Sequence, residues 1–328
     1  MAELTFHQLS ARLAQIEGLA PLAGGASSLT YAGSLSGRPV VVKVAPTGVA
    51  PTGHRDVLRQ SRIIAALSRT PVPVPEVLWE DPGDPPEIPP LFVMSWIEGS
   101  SPEPLFDLDT APLSSNVVAE RFRRAAATMA RLHRIEPTAL GLPDEPIVGA
   151  ADEIERWCRT LQTVDPALAP GWHDVAGALR DSVPPPAGPA LVHGDFRLGN
   201  LLAERDRITA VIDWEIWSVG DPRIDAGWFL INSDPQTYRR ATPYISCAPP
   251  TDELSSIYQE AVGTTMADLD WFQALACFKS VATWSLIVKH NRRRDRPDPG
   301  LEDMSRTLPH LLSRARQLLD QERGMPAS

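Results

Sequence analysis

At 328 residues the chain is too long for one compact core of ordinary size and suits two lobes; its 43% hydrophobic and 22% charged residues are ordinary for a soluble globular protein. A net charge of −10 and a pI near 5.2 argue against a nucleic-acid partner. The N-terminus lacks a basic segment followed by an apolar run, no stretch approaches the roughly 18 unbroken apolar residues of a membrane span, and Cys158, Cys247 and Cys277 are scattered without metal spacing. A reduced, cytoplasmic setting with no membrane partner is the expectation.

In chain order, Met1 to Gly18 carries Phe6, Leu9, Leu13 and Ile16 at helical spacing and predicts an amphipathic helix. Leu22–Ser28 is rich in turn residues. Leu29–Leu35 and Val40–Val44 read as strands joined by Ser36-Gly37-Arg38-Pro39. A helix is expected from about Arg55 to Leu67 and ends before Pro71, Pro73 and Pro75, because proline cannot continue it. Strands follow at Glu76–Trp79 and Leu91–Met94. Glu98 to Pro112 has no periodicity and reads as a connector. Helical patterns then occupy Val117–His133, Ala151–Leu161 and Trp172–Leu179, with a β-rich island at Ala190–Asp213. Further helices are expected near Asp225–Ile231, Glu253–Val262, Leu269–His290 and Met304–Leu319. The sum is an α+β chain with a β-rich first lobe (1–98) and a mainly helical second lobe (99–328).

The chemistry concentrates between His193 and Asp213. An apolar strand runs into Leu191-Val192-His193-Gly194-Asp195-Phe196-Arg197-Leu198-Gly199-Asn200, and Ile208–Ile212 forms a strand ending on Asp213. Phosphoryl transfer needs an acceptor that orients or deprotonates a hydroxyl, and oxygen ligands that hold Mg²⁺ on nucleotide phosphates. Asp195, Asn200 and Asp213 supply that set, and the first two match the kinase catalytic-loop spacing Asp-x-x-x-x-Asn. Singly, each is an ordinary turn former or cap; the ordered set is not. His193 closes an apolar strand and is expected to hold the loop through backbone bonds. Asp221 and Asp225 are expected to brace the loop and cap the next helix. Arg197, inside the loop, either reaches the transferred phosphate or is solvated.

Together His-Gly-Asp-x-x-x-x-Asn, Ile-Asp-Trp-Glu and Gly-Asp-Pro-x-x-Asp resemble the aminoglycoside phosphotransferase and choline kinase-like family over roughly residues 20–295. The resemblance implies a two-lobed protein-kinase-like fold with ATP between the lobes, Asp195 as catalytic base, and Asn200 and Asp213 as Mg²⁺ ligands. Lys43, closing Val-Val-Val-Lys, matches the lysine that pairs with the α/β-phosphates. It is one of only three lysines among 31 basic residues, with Lys279 and Lys289, in a chain that otherwise writes its positive charge as arginine. Gly24-Gly25-Ala26-Ser27-Ser28 resembles the phosphate-covering loop, and Ser95, Trp96 and Ile97 the hinge whose backbone would meet adenine. One departure concerns the helix glutamate that pairs with the lysine: Gln60 stands at that position, so either the site is tuned differently or the register differs.

The acceptor region holds seven of nine tryptophans (Trp157, Trp172, Trp214, Trp217, Trp228, Trp271, Trp284), expected mostly in the core, with an aromatic-lined pocket as the alternative. Residues 137–328 carry a net charge of −8 against −2 for residues 1–136, which favours a neutral or cationic hydroxyl compound as acceptor. A basic cluster at Arg292-Arg293-Arg294 and Arg296 runs the other way. The alternatives to an antibiotic-type acceptor are a choline- or sugar-type metabolite, or a nucleotide-binding pseudokinase. The last predicts loss of Lys43, Asp195, Asn200 or Asp213, and all four are present.

Overall fold

The computed structural model describes residues 6–22, 28–108, 112–142 and 145–322. In chain order its main elements are α1 (Phe6–Arg12), β1 (Ile16–Pro21), β2 (Leu29–Leu35), β3 (Arg38–Val44), α2 (Val57–Leu67), β4 (Val77–Asp81), β5 (Leu91–Ser95), α3 (Ser115–His133), β6 (Ile147–Val148), α4 (Ala150–Leu161), α5 (Trp172–Arg180), β7 (Ala190–Val192), β8 (Leu201–Glu204), β9 (Arg207–Val211), β10 (Ser218–Gly220), α6 (Arg223–Asn232), α7 (Pro235–Tyr238), α8 (Thr251–Val262), α9 (Leu269–Asn291), α10 (Pro299–Asp303) and α11 (Leu308–Glu322). They divide into two compact units, Met1–Ser101 with Asn200–Trp217, and Pro102–Gly199 with Ser218–Ser328.

The first unit is built on an antiparallel sheet of order β1-β2-β3-β5-β4. Ser36 and Gly37 both take positive φ (50° and 79°), giving the two-residue turn whose handedness matches strand twist, so the β2–β3 hairpin closes tightly with Leu35 opposite Arg38. Because strand side chains alternate, Val40, Val42 and Val44 enter a core with Leu91 and Val93, and Lys43 points to the other face. Helix α2 starts where Asp56 accepts the Arg59 backbone N–H (3.0 Å). It buries Val57, Ile63, Ile64 and Leu67, and on the same element Gln60 and Ser61.

In the second unit α9 is the central element, packed by α11, α6, α4 and α5. It is long and apolar enough to cross a membrane by length and composition, yet most of that stretch is buried inside the unit as a core helix. A small sheet pairs β10 parallel to β6 and antiparallel to β7, and β7 delivers the chain into the His193–Asn200 loop.

Three differences from the sequence reading have physical causes. The helix expected over Met1–Gly18 is described only as Phe6–Arg12, and Ile16–Pro21 is a strand. The Leu9–Leu13–Ile16 spacing marks truly buried positions, but Ile16 reaches the core from a strand. The boundary expected at 98/99 leaves out the β8–β9 hairpin, which groups with the first unit. Val211 N–H bonds the Pro73 carbonyl (2.8 Å), Ser100 and Ala203 exchange both backbone bonds (3.0 Å each), and the Thr209 hydroxyl donates to the Glu98 carbonyl (2.9 Å). The helix expected from Met304 begins at Leu308 as α11, because Met304–Arg306 closes as a separate tighter turn in which Thr307 N–H bonds the Met304 carbonyl (3.0 Å).

Candidate active site

The first unit assembles its site on Lys43. The ammonium, nearly buried, donates to Asp213 Oδ1 (2.9 Å) and to Gln60 Oε1 (3.1 Å). Gln60 therefore stands where the alignment of α2 put it, and the departure is a real change of chemistry, with an amide in place of a charge. Asp213 follows β9 in the left-handed region (φ 67°, ψ 55°), a conformation that aspartate tolerates better than most residues. Its surroundings fix it there: Ile212 N–H bonds the Asn200 carbonyl (3.0 Å), and the segment after Asp213 is clamped to α2. Arg59 donates to the Trp217 carbonyl (2.9 Å), Trp217 Nε1 donates back to the Arg59 carbonyl (3.2 Å), and the guanidinium lies 3.8 Å from the indole centroid. One side of α2 thus positions both partners of Lys43.

Gln60 Nε2 is buried without a partner among the described residues. Gln60→Glu exchanges that orphaned donor for a second carboxylate on Lys43. Stability without nucleotide is expected to rise by about 1 kcal/mol, the scale of one improved charged hydrogen bond. Urea midpoints of the two proteins check it; an unchanged or lower midpoint contradicts the pairing.

The second unit assembles its site on Asp195. Gly194 (φ 84°) turns the chain out of β7, and the buried carboxylate of Asp225 accepts the backbone N–H groups of His193 (2.6 Å) and Gly194 (2.8 Å). His133 Nε2 lies 3.2 Å from the same carboxylate, and Tyr258 Oη lies 2.7 Å from His133 Nδ1. His193, fully buried, accepts the Asp195 N–H on Nδ1 (3.1 Å), so it holds the loop as expected. Asp225 does brace the loop, from inside α6 instead of from its cap. Asp221 accepts the Arg223 N–H (3.0 Å) and the Ala187 N–H (3.1 Å).

Burial by itself would raise the Asp225 pKa, but the hydrogen bonds from His133 and the His193 amide outweigh it and hold the carboxyl below its ordinary value. A depressed folded-state pKa adds stability that is present above the unfolded value, near 3.9, and is lost as pH falls through the folded one. Asp225→Ala leaves three buried donors facing an empty space. It is expected to cost about 3–5 kcal/mol at neutral pH and to flatten the acid limb of the stability curve; thermal melts from pH 3 to 7 measure both.

Arg197 is partly buried and engaged by two carboxylates. It is pinned between Asp195 (3.2 Å) and Glu103 (2.9 Å); desolvation opposes its charge, but the two carboxylates outweigh that and push its pKa above the ordinary value. Glu103 also accepts the Gly199 N–H (2.8 Å); a Cβ on Gly199 would stand 2.1 Å from Arg197 Nη1 and 2.8 Å from Glu103 Oε2, so a side chain there would push that ion pair aside. Burial raises the Glu103 pKa, and its Oε1 has no partner among the described residues. Trp228 Nε1 donates to Asp195 Oδ1 (2.7 Å). Neither Glu103 nor Trp228 emerged from the sequence as a site residue. Glu103 sits in an unperiodic connector with nothing to mark it, and Trp228 was one core tryptophan among seven, though it follows Asp225 by three residues on the same helix.

The remaining candidates are placed as follows. Ser28 Oγ is buried without a partner among the described residues, beside Leu29, whose cross-strand partner Val44 neighbours Lys43. Ser27 and Gly24–Ala26 lie outside the described residues. The Ser95 N–H is committed to the Glu76 carbonyl (2.8 Å) and the Trp96 N–H to the Pro39 carbonyl (3.1 Å), so donors for adenine at those two positions are taken up by the sheet. Trp96 and Ile97 line a groove of about 370 Å³ with Pro73, Glu98, Ile208 and Thr209. Of the seven tryptophans, Trp284 alone is only partly buried, as the core reading expected.

Among the described residues no group of three or more His, Cys, Asp or Glu side chains could hold a metal alone. One carboxylate (Asp213) and one amide (Asn200), brought to adjacent positions by the β8–β9 register, suit an ion that keeps waters and takes its other oxygens from substrate phosphates, as Mg²⁺ does. The orphaned Ser28 hydroxyl and the Lys43 ammonium suit phosphate oxygens. The residues present fit Mg²⁺-nucleotide.

A lysine fixed on a strand by a carboxylate at the end of a second strand, and a loop aspartate preceding that strand, belong to the kinase-like phosphotransferases. Residues 18–272 match the phosphotransferase enzyme family (APH), and the chain belongs to it. Viomycin phosphotransferase from Streptomyces vinaceus is 30% identical over 53% of this chain and 59% of its own length. Acyl-CoA dehydrogenase family member 10 from Mus musculus is 28% identical over 62% of this chain, which spans only 19% of that relative's length. Among solved structures, a Ralstonia eutropha protein provisionally called an aminoglycoside phosphotransferase superposes with a TM-score of 0.75 at 20% identity, covering 97% of this chain and 98% of its own. Aminoglycoside phosphotransferase APH(4)-Ia in ternary complex with AMP-PNP and hygromycin B superposes with a TM-score of 0.63 at 16% identity, covering 98% and 100%.

Proposed function

We propose that the protein transfers the γ-phosphate of ATP to a hydroxyl of a small molecule. The observation that carries this is the Lys43–Asp213 pair, a cation and a carboxylate held 2.9 Å apart at strand positions where phosphates and their metal would be bound. In this reading the first unit binds nucleotide. Lys43 and Ser28 contact phosphate oxygens, the chain at Ser95–Ile97 lies against the base, and Asp213 and Asn200 ligate Mg²⁺, which when bound neutralises phosphate charge. The second unit supplies the general base, Asp195, and the acceptor pocket. Arg197 serves the transferred phosphate from its place beside Asp195. The nucleotide analogue and antibiotic bound by APH(4)-Ia support the reading at the level of class.

The acceptor is proposed to be neutral or cationic. Glu103 Oε1, without a partner among the described residues and on the carboxylate that holds Arg197, is an acceptor suited to a hydroxyl or ammonium donor, and the acidic balance of residues 137–328 acts in the same direction. Arg292 of the basic cluster is drawn to Glu302 (2.6 Å). The test is ADP release with ATP and Mg²⁺ over hygromycin B, viomycin, choline, a neutral sugar, and matched carboxylate- and phosphate-bearing hydroxyl compounds, at low and high salt. Acceptor-dependent release with a neutral or cationic compound is expected. A clear preference for an anionic one would shift recognition to Arg292–Arg294 and Arg296.

A further inference from the structure

Lys279 is one of the three lysines, and unlike Lys43 it has no part in the chemistry so far described. It projects from the buried face of α9, almost wholly out of solvent, and donates to the carbonyl of Gly194. Its ammonium stands 4.0 Å from the centroid of the Trp228 ring and 5.6 Å from that of Trp157. The Gly194 carbonyl belongs to the peptide whose N–H is that of Asp195, and that N–H is held by His193 Nδ1 at 3.1 Å. The peptide leading into Asp195 is thus fixed at its oxygen by Lys279 and at its nitrogen by His193. The Asp195 side chain is in turn fixed by Trp228 Nε1 at 2.7 Å.

We infer that Lys279 is a positioning residue for Asp195, acting through the Gly194 carbonyl and through the face of Trp228. An aromatic ring is negative on its face and positive at its edge. A cation over the face draws electron density toward itself and strengthens the indole N–H at the edge as a donor, so cation, ring and carboxylate form one polarised chain. A compact ammonium can meet a carbonyl and a ring face together where a planar, forked guanidinium could not, which accounts for lysine in an arginine-rich chain. Burial pushes the Lys279 pKa down, with Arg156 adding to the push and Asp195, Glu153 and Asp225 opposing it. The significance of this role rests on Asp195 being the base proposed above.

The test does not depend on knowing the acceptor. In full-length protein labelled with ¹⁵N-tryptophan, Trp228→Phe assigns the Trp228 indole signal among the nine, and Asp195→Ala marks its position when the bond to the carboxylate is gone. Lys279→Met, close in volume but neutral, is expected to move that signal toward the Asp195→Ala position. It should also speed indole exchange with solvent by about tenfold or more, the scale of a weakened charged hydrogen bond. Lys279→Gln, which keeps a donor for Gly194 but no charge over the ring, is expected to do the same. An unmoved Trp228 signal in folded protein would overturn the inference, as would loss of fold in both variants, which would make Lys279 a core residue only. Turnover by Asp195→Asn is judged separately. Full activity there, with the indole response as expected, removes Asp195 as the base and leaves the positioning intact.

Discussion

Asp195→Asn is expected to lower acceptor phosphorylation by roughly 10²- to 10⁴-fold, the usual contribution of a general base, while leaving nucleotide affinity almost unchanged. The substitution is suited to the structure. Trp228 Nε1 and Arg197 Nε both donate to Asp195 Oδ1, and the amide carbonyl of asparagine can accept from both, so the loop keeps its shape and loses only its charge. Arg197 still has Glu103 at 2.9 Å and is not cast loose. Nucleotide affinity should hold because Lys43, Asp213 and Gln60 form a separate cluster in the other unit. Steady-state kinetics with an acceptor from the panel, paired with calorimetry of Mg-ATP, measures both quantities. Turnover close to wild type would show that Asp195 is not the base.

The second large effect is expected at Asp213. Asp213→Asn should weaken Mg²⁺-dependent ATP binding by about 10- to 100-fold, the value of one charged contact of 1.5–3 kcal/mol. Asn200→Ala should weaken it less, because an amide brings no charge to the ion. Asparagine is the informative replacement because it tolerates the left-handed backbone at this position, whereas alanine would add strain unrelated to the ligand. The variant also leaves a nearly buried Lys43 ammonium with Gln60 alone. Calorimetry with Mg-ATP against both proteins decides the order; equal and negligible losses would remove both residues from the metal site.

The α+β, two-lobed class was legible in the sequence, as was the candidate site as a set of residue types. Lys43, Asp195, Asn200 and Asp213 stand out as candidates because phosphoryl transfer demands particular functional groups in a particular order along the chain, and of these the structure pairs Lys43 with Asp213 at 2.9 Å. Gln60 was placed correctly because helix α2 has a clear period and a definite start at Asp56. Features that depend on tertiary context were not visible. Strand β1 was read as helix because Leu9, Leu13 and Ile16 are spaced as on a helix while the last of them belongs to the sheet. Glu103 offers no local pattern, and its role exists only because Arg197 and Gly199 reach it. Asp225 braces the loop as its motif implies, but the partners through which it does so, the His193 and Gly194 amides, are set by tertiary packing and have no local signal.

The return of Asn200–Trp217 to the first unit bears on how relatives of this protein can be recombined. Lys43 and its carboxylate partner lie 170 positions apart in sequence yet share one compact body. A chimaera with a single crossover near residue 98 would join a lysine from one parent to an aspartate, a hairpin and a Trp217 clamp from another. Val211–Pro73, Ser100–Ala203 and Arg59–Trp217 would all become hybrid contacts. An exchange that transplants nucleotide handling as a working cassette needs three junctions, at 101/102, 199/200 and 217/218. The middle one falls inside the Asp195–Asn200 motif, so the proposed base and the proposed metal ligand would come from different parents, and shuffling libraries should show coinheritance of residues 40–60 with 200–217 among active clones.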